Sequence, residues 1–133
     1  MCHFARQFAL AAITLLIAGC DREFQQSVSF KVTESDGTPT KNAPLRYYSE
    51  GLCKGPFKAA VTSDTGEATV TRQSIKGGVG VLLEEPSLCF ESKGKWYVAW
   101  QEFIDPVEVE RFSCVMQSAG LFTCERLGPA GGI

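Results

Sequence analysis

Apolar and polar residues alternate through most of the chain. In SVSFKVTE, Val28, Phe30 and Val32 fall on one side of an extended backbone and Ser29, Lys31 and Thr33 on the other. A period of two predicts a strand with one buried face. SDGTPTKNAP then interrupts the pattern with Asp-Gly and two prolines, which signal a loop. LRYYSE, KAAVTS and EATVTR predict further strands, with Asp64-Thr65-Gly66 as a hairpin turn between the last two. GGVGVLLEE, LCFES, KWYVAWQ, VEVERFSC and LFTCER continue the alternation. In KWYVAWQ, Trp96, Val98 and Trp100 are expected to share one core-facing side. In VEVERFSC, Phe112 falls in phase with Glu108 and Glu110, so a β-bulge is expected there. No helical period follows residue 20. About seven to nine short antiparallel strands over residues 28–126 predict an all-β sandwich, and LGPAGGI reads as a flexible tail over 127–133.

The first residues break this pattern. Arg6 supplies a positive charge, and Phe8 to Ile17 is an apolar run too short for a spanning helix, which needs about 20 residues. It suits an export signal. The run ends in Ile17-Ala18-Gly19-Cys20, which resembles the lipobox of bacterial lipoproteins. That resemblance implies removal of residues 1–19 and acylation of Cys20. Asp21 resembles the signal that retains such proteins in the inner membrane, with the outer membrane as the alternative. Residues 20–27 would form the anchor and a short tether, and Asp21 to Ser27 reaches about 20 Å when fully extended. The expected location is the bacterial cell envelope, anchored by lipid and facing the periplasm.

Export changes how the cysteines are read. Of six cysteines, Cys2 leaves with the leader and Cys20 takes lipid. Cys53, Cys89, Cys114 and Cys124 remain, an even number that suits disulfides in an exported domain. Four cysteines allow three connectivities. CVMQSAGLFTC looks like a hairpin turning at Gln117 to Gly120, which favours Cys114–Cys124 and leaves Cys53–Cys89. A zinc site is disfavoured because no C-x₂₋₄-C pair is present.

DGTPTKNAPLRYY followed by VTSDTGEATV resembles transthyretin-like and carboxypeptidase-regulatory-like sandwich domains. The matching residues are Gly37, Pro39, Asn42, Ala43 and Pro44, then Asp64 and Gly66 in a turn one residue shorter than the family's. The resemblance covers roughly residues 28–72 and implies an Ig-like or transthyretin-like sandwich. It carries fold rather than function.

Charge and composition exclude several functions. Without its leader the chain has no histidine and holds 12 Lys+Arg against 15 Asp+Glu, a formal −3. Nucleic acid is not an expected partner, since no basic stripe is present. Most nucleophile–base pairs need histidine, so the chain is read as non-enzymatic, and no cofactor or metal is expected. Asp64-Thr65-Gly66 spells the aspartic-protease triplet, but that chemistry needs two such carboxylates close together; a tight turn accounts for it. Gly77-Gly78-Val79-Gly80 lacks a following helix to hold phosphate. Glu84 and Glu85 are adjacent, so on a strand they point to opposite faces. Asp105, Glu108 and Glu110 lack the spacing of a calcium loop.

What remains is binding. Residues 77–133 hold 4 basic and 8 acidic side chains, which suits a basic protein partner. Glu108, Glu110 and Tyr97 are the candidate contact residues, in the region Glu84 to Glu110. The expected role is a non-catalytic protein-binding module, such as an inhibitor or immunity protein against an envelope-targeting enzyme. The alternatives are a structural subunit of an envelope or secretion assembly, and a glycan-binding domain using Trp96, Tyr97 or Trp100.

Overall fold

The computed structural model describes residues 22–76 and 84–127. The expected leader, Cys20, Asp21, the GGVGVLL stretch and the tail from residue 128 lie outside the described residues. Eight strands are present: β1 (Arg22–Thr33), β2 (Pro44–Tyr48), β3 (Phe57–Val61), β4 (Glu67–Lys76), β5 (Ser87–Ser92), β6 (Lys95–Gln101), β7 (Val109–Met116) and β8 (Phe122–Arg126). They form two four-stranded sheets, ordered β4-β1-β7-β8 and β3-β2-β5-β6. The first sheet is mixed, because β1 and β7 run parallel. The predicted all-β sandwich is therefore present, with no helix among the described residues.

The alternation in β1 works as expected. Val28, Phe30 and Val32 are buried. They meet Leu45 and Tyr47 of β2, Leu88 and Phe90 of β5, and Phe112 of β7 in one core. Phe112 stacks on Phe30 at 5.6 Å and receives the edge of Trp100 at 4.6 Å, while Phe90 stacks on Phe122 at 4.3 Å. Each such ring removes about 150–250 Å² from water, so these aromatics dominate the cohesion of the two layers.

Both disulfides pair as favoured by sequence, Cys53–Cys89 and Cys114–Cys124. Cys114 and Cys124 face each other across β7 and β8, joined by the expected turn, in which the Gly120 amide donates to the Gln117 carbonyl at 2.9 Å. Cys53 pins the loop after β2 against β5. By chain-entropy reasoning the two links restrict the unfolded chain by about 3 and about 4 kcal/mol.

Four expectations need correction. First, β1 begins at Arg22, not at Val28. The stretch expected as tether is strand, because Arg22 to Ser27 pair in register with Lys76 to Thr71 of β4. Second, the Asp64 turn does not close a hairpin. β3 pairs with β2 and β4 pairs with β1, so the turn carries the chain from one sheet to the other. Gly66 sits there with φ +77°, and a Cβ on it would lie 2.4 Å from the Val32 carbonyl oxygen. Only glycine allows that approach.

Third, no bulge lies in β7. Val28, Phe30 and Val32 face Glu110, Phe112 and Cys114 in unbroken register, so Glu110 points inward with Phe112. The glutamate is tolerated because Arg126, opposite Phe112, reaches it. Fourth, the bulge lies in β6 instead. Cys89 pairs with Val98 but Leu88 pairs with Trp100, leaving Ala99 as the extra residue. The slip reverses the phase: Trp100 turns into the core, while Trp96 and Val98 face outward.

Candidate functional site

The sandwich presents two broad outer surfaces, and their chemistry differs. On the β4-β1-β7-β8 sheet, the residues opposite the core strip include Ser27, Ser29 and Lys31 of β1, Thr69, Thr71 and Gln73 of β4, and Thr123 and Glu125 of β8. Short hydroxyls and charges dominate this surface, Arg111 and Ser113 of β7 included, and Val109 of β7, 40% exposed, interrupts them. On the β3-β2-β5-β6 sheet, the outward positions are Phe57, Ala59 and Val61 of β3, Arg46 and Tyr48 of β2, Cys89 and Glu91 of β5, and Trp96 and Val98 of β6, of which Tyr48 and Cys89 are buried. Phe57, Val61 and Val98 are exposed by 42%, 58% and 44%. Single exposed apolar residues are ordinary, but several on one sheet face mark a contact surface.

Arg46 organises that surface. Its guanidinium carbon lies 4.1 Å from the Phe57 ring centre and 4.0 Å from that of Trp96. The planar cation is thus held between two aromatic faces, each worth about 0.5–2 kcal/mol depending on desolvation. Arg46 Nη1 also donates to the Tyr48 hydroxyl at 3.2 Å, and Tyr48 packs on Phe57 at 5.2 Å. Ion pairs among the described residues are Arg72–Glu84 and Arg126–Glu110. Among the described residues Arg46 therefore keeps its charge without a carboxylate partner. The Cys53–Cys89 link ties the neighbouring loop to the same sheet.

A second polar feature lies inside the sandwich, at the end where β1 begins. There the core strip of the first sheet turns hydrophilic: Gln26, Arg72, Ser74 and Glu110 are all buried. Arg72 Nε donates to Gln26 Oε1 at 2.7 Å, and its Nη1 donates to Ser49 Oγ at 3.3 Å. Its Nη2 donates to Glu84, which also accepts from Ser74 Oγ at 3.2 Å. Gln26 Nε2 donates to the Val107 carbonyl at 2.8 Å. Arg126 grips Glu110 with two bonds of 2.7 Å. That hydrogen-bonded carboxylate raises the Arg126 pKa further. The Tyr47 hydroxyl is buried here without a partner among the described residues. Burial pushes its pKa well above the usual phenol range, with Arg72 acting in the opposite sense.

The network opens into a groove of about 450 Å³ lined by Ser49, Glu50, Arg72, Ser74, Glu84 and Phe103, among others. Arg72 and Glu84 are paired with each other inside it, while Glu50 and Glu85 on its lining have no ion-pair partner among the described residues. Apart from the Tyr47 hydroxyl, the buried side chains of this layer are hydrogen-bonded to one another or to backbone, which makes the layer costly to disrupt.

The sequence-predicted site residues are dispersed. Glu110 is fully buried against Arg126, so it cannot belong to an exposed acidic surface. Glu108 is exposed. Tyr97 is 40% exposed but pairs with Phe90, out of phase with Trp96. Trp96, Tyr97 and Trp100 therefore form no shared platform. No group of three His, Cys, Asp or Glu able to hold a metal occurs among the described residues. The Phe57–Arg46–Trp96 stack was missed in sequence. Its only sequence signal is that Arg46 alternates with Leu45 and Tyr47, which predicts an outward arginine but not its partners.

No family model matches the chain, and no curated protein matches it. Among solved structures, the fold is similar to that of (S)-allantoin synthase, with a TM-score of 0.53 at 13% identity over 87% of this chain and 48% of that one. This chain thus spans about half the length of that protein, and the likeness concerns fold. Weaker overlaps occur with 3-chlorocatechol 1,2-dioxygenase from Rhodococcus opacus 1CP (TM-score 0.40, 8% identity, 77% of this chain and 57% of that one) and with intermedilysin bound to human CD59 (0.39, 9%, 77% and 24%). Neither carries an argument.

Proposed function

We propose that this chain is an exported lipoprotein whose sandwich is a non-catalytic protein-binding module, of the kind that inhibits an envelope-targeting enzyme. The anchor reading rests on Ile17-Ala18-Gly19-Cys20 after an apolar run. Two disulfides support an oxidising compartment. A transthyretin-like form of the sandwich is supported by the motif residues: Gly37 lies in the loop after β1, Pro44 opens β2, and Asp64-Thr65-Gly66 precedes β4. The observation that carries the binding proposal is the contrast between the two outer surfaces. The partner surface is the β3-β2-β5-β6 face, and the partner is a protein that covers Phe57, Val61 and Val98 while offering a carboxylate to Arg46. This moves the proposed contact away from Glu108 and Glu110.

A photo-reactive residue at Val98 or at Thr71 of the native lipoprotein tests this in cells. Adducts to one discrete protein from Val98 but not from Thr71, lost with Arg46→Glu, are expected. Equal adducts from both positions, or adducts insensitive to Arg46→Glu, would reject the assignment.

A further inference from the structure

The start of β1 fixes more than a strand boundary. Cys20 precedes Arg22 by two residues, so the anchor can stand at most about 7 Å from the first strand residue. No slack tether separates domain and lipid. One end of the sandwich must then meet the bilayer, and the register identifies it. Phe24 pairs with Ser74 and Gln26 with Arg72. Ser74 and Arg72 line the groove together with Ser49, Glu84 and Phe103. The Gly51 carbonyl and the Cys53 amide both bond Ser87 Oγ, which places Leu52 beside the start of β5, where Tyr48 ends β2.

Among the described residues, two bulky apolar side chains are exposed near the anchored end, Phe103 at 67% and Leu52 at 53%. The Gln117 to Gly120 turn lies at the opposite end, beyond the pairing of Thr33 with Val115. The span from Arg22 to Thr33 covers 12 residues, or about 36 Å at the usual strand rise.

We infer that Phe103 and Leu52 form a membrane-contact tip that rests on the phospholipid bilayer and holds the sandwich upright, with the Gln117 turn pointing away. This rests on the lipid anchor at Cys20. Phe and Leu are side chains that interfacial segments bury at the headgroup–acyl boundary, and a tip so close to an acyl anchor meets it at very high effective concentration. An upright domain leaves the Arg46 face perpendicular to the membrane and open to a partner from the side. The pairing of Arg72 with Glu84 keeps the buried polar layer behind the tip neutral.

The test uses processed, full-length lipoprotein reconstituted in phosphatidylcholine vesicles, with or without bromine near the top of the acyl chains. Phe103→Trp and Ser118→Trp each add one indole at an exposed position, and the wild-type emission is subtracted. Loss of the added emission for Phe103→Trp, and none for Ser118→Trp, is expected in brominated vesicles. Flotation with vesicles but no loss at residue 103, or equal or greater loss at residue 118, would overturn the tip while leaving the anchor intact. Failure to float, or flotation of Cys20→Ser equal to wild type, would overturn the anchor and the tip together.

Discussion

The two outer surfaces of this sandwich descend from the same alternating pattern yet carry opposite chemistry. On the first sheet the outward phase is mostly residues that water solvates well, such as Ser29, Lys31, Thr69 and Thr71, with Val109 as an exposed exception. On the second it is Phe57, Trp96 and Val98, which water solvates poorly, set around the charged Arg46. Core packing does not require this, because all four lie on the far side of their sheet from Leu45, Tyr47, Leu88 and Phe90. The difference teaches that one surface is mostly polar by composition, while the other keeps apolar area together with a cation that has no carboxylate partner among the described residues. A domain that only needed to fold gains little from that second surface.

The sharpest check on this division compares two tryptophans on one strand. Trp100→Ala removes a buried ring packed on Phe112 and should lower stability by about 3–5 kcal/mol, a large share of the usual 5–15 kcal/mol. Trp96→Ala removes only one side of the Arg46 stack and should cost about 1 kcal/mol. Denaturant unfolding of both would decide it; equal losses would mean that the bulge in β6 does not divide them. A second comparison sets Glu110 against Glu108. Glu110→Ala leaves Arg126 without its carboxylate and should cost about 3 kcal/mol, since breaking a buried pair is expensive. Glu108→Ala should stay within about 0.5 kcal/mol. Similar values would return Glu110 to the surface.

Smaller effects come from titration. Tyr47 has a raised pKa in the folded protein, so folding disfavours its ionised form. The sign is therefore fixed: the contribution is complete below the unfolded phenol value of about 10 and is lost as pH rises beyond it. Tyr47→Phe keeps the ring and removes the unpartnered hydroxyl. It should leave neutral-pH stability unchanged or about 1 kcal/mol higher, and flatten the alkaline fall in melting temperature. A fall as steep as wild type would show that the hydroxyl is not buried. The slightest effect belongs to exposed Asp36, whose carboxylate accepts the Thr38 amide at 2.9 Å. That bond holds its pKa below the ordinary 3.8. Its contribution is present above 3.8 and fades as pH drops through the lower folded value. Asp36→Ala should alter only the acid limb of a thermal melt.

Much of the fold was legible in the residues themselves. Val28, Phe30 and Val32 announce β1, and CVMQSAGLFTC announces the Cys114–Cys124 hairpin, because both depend on neighbours within a dozen positions. Errors arose where a distant partner changed the local rule. Glu110 looked exposed because a carboxylate in an apolar strand usually is; Arg126, on the neighbouring strand β8, makes its burial tolerable. Trp100 looked outward or inward together with Trp96, because nothing in KWYVAWQ marks the extra residue; the pairing with β5 does. The Asp64 turn looked like a hairpin, since a tight turn has the same residues whether its strands stay together or separate.

For this protein, then, the order of side chains along the chain determined strand phase, turn positions and which cysteines could meet. Those are short-range matters of backbone geometry and alternation. Only the packed tertiary structure decided which outward residues became neighbours. Phe57, Arg46 and Trp96 converge from three different strands, and a stack of that kind has no periodicity to read, because it exists only once the sheet has brought β3, β2 and β6 side by side around β5.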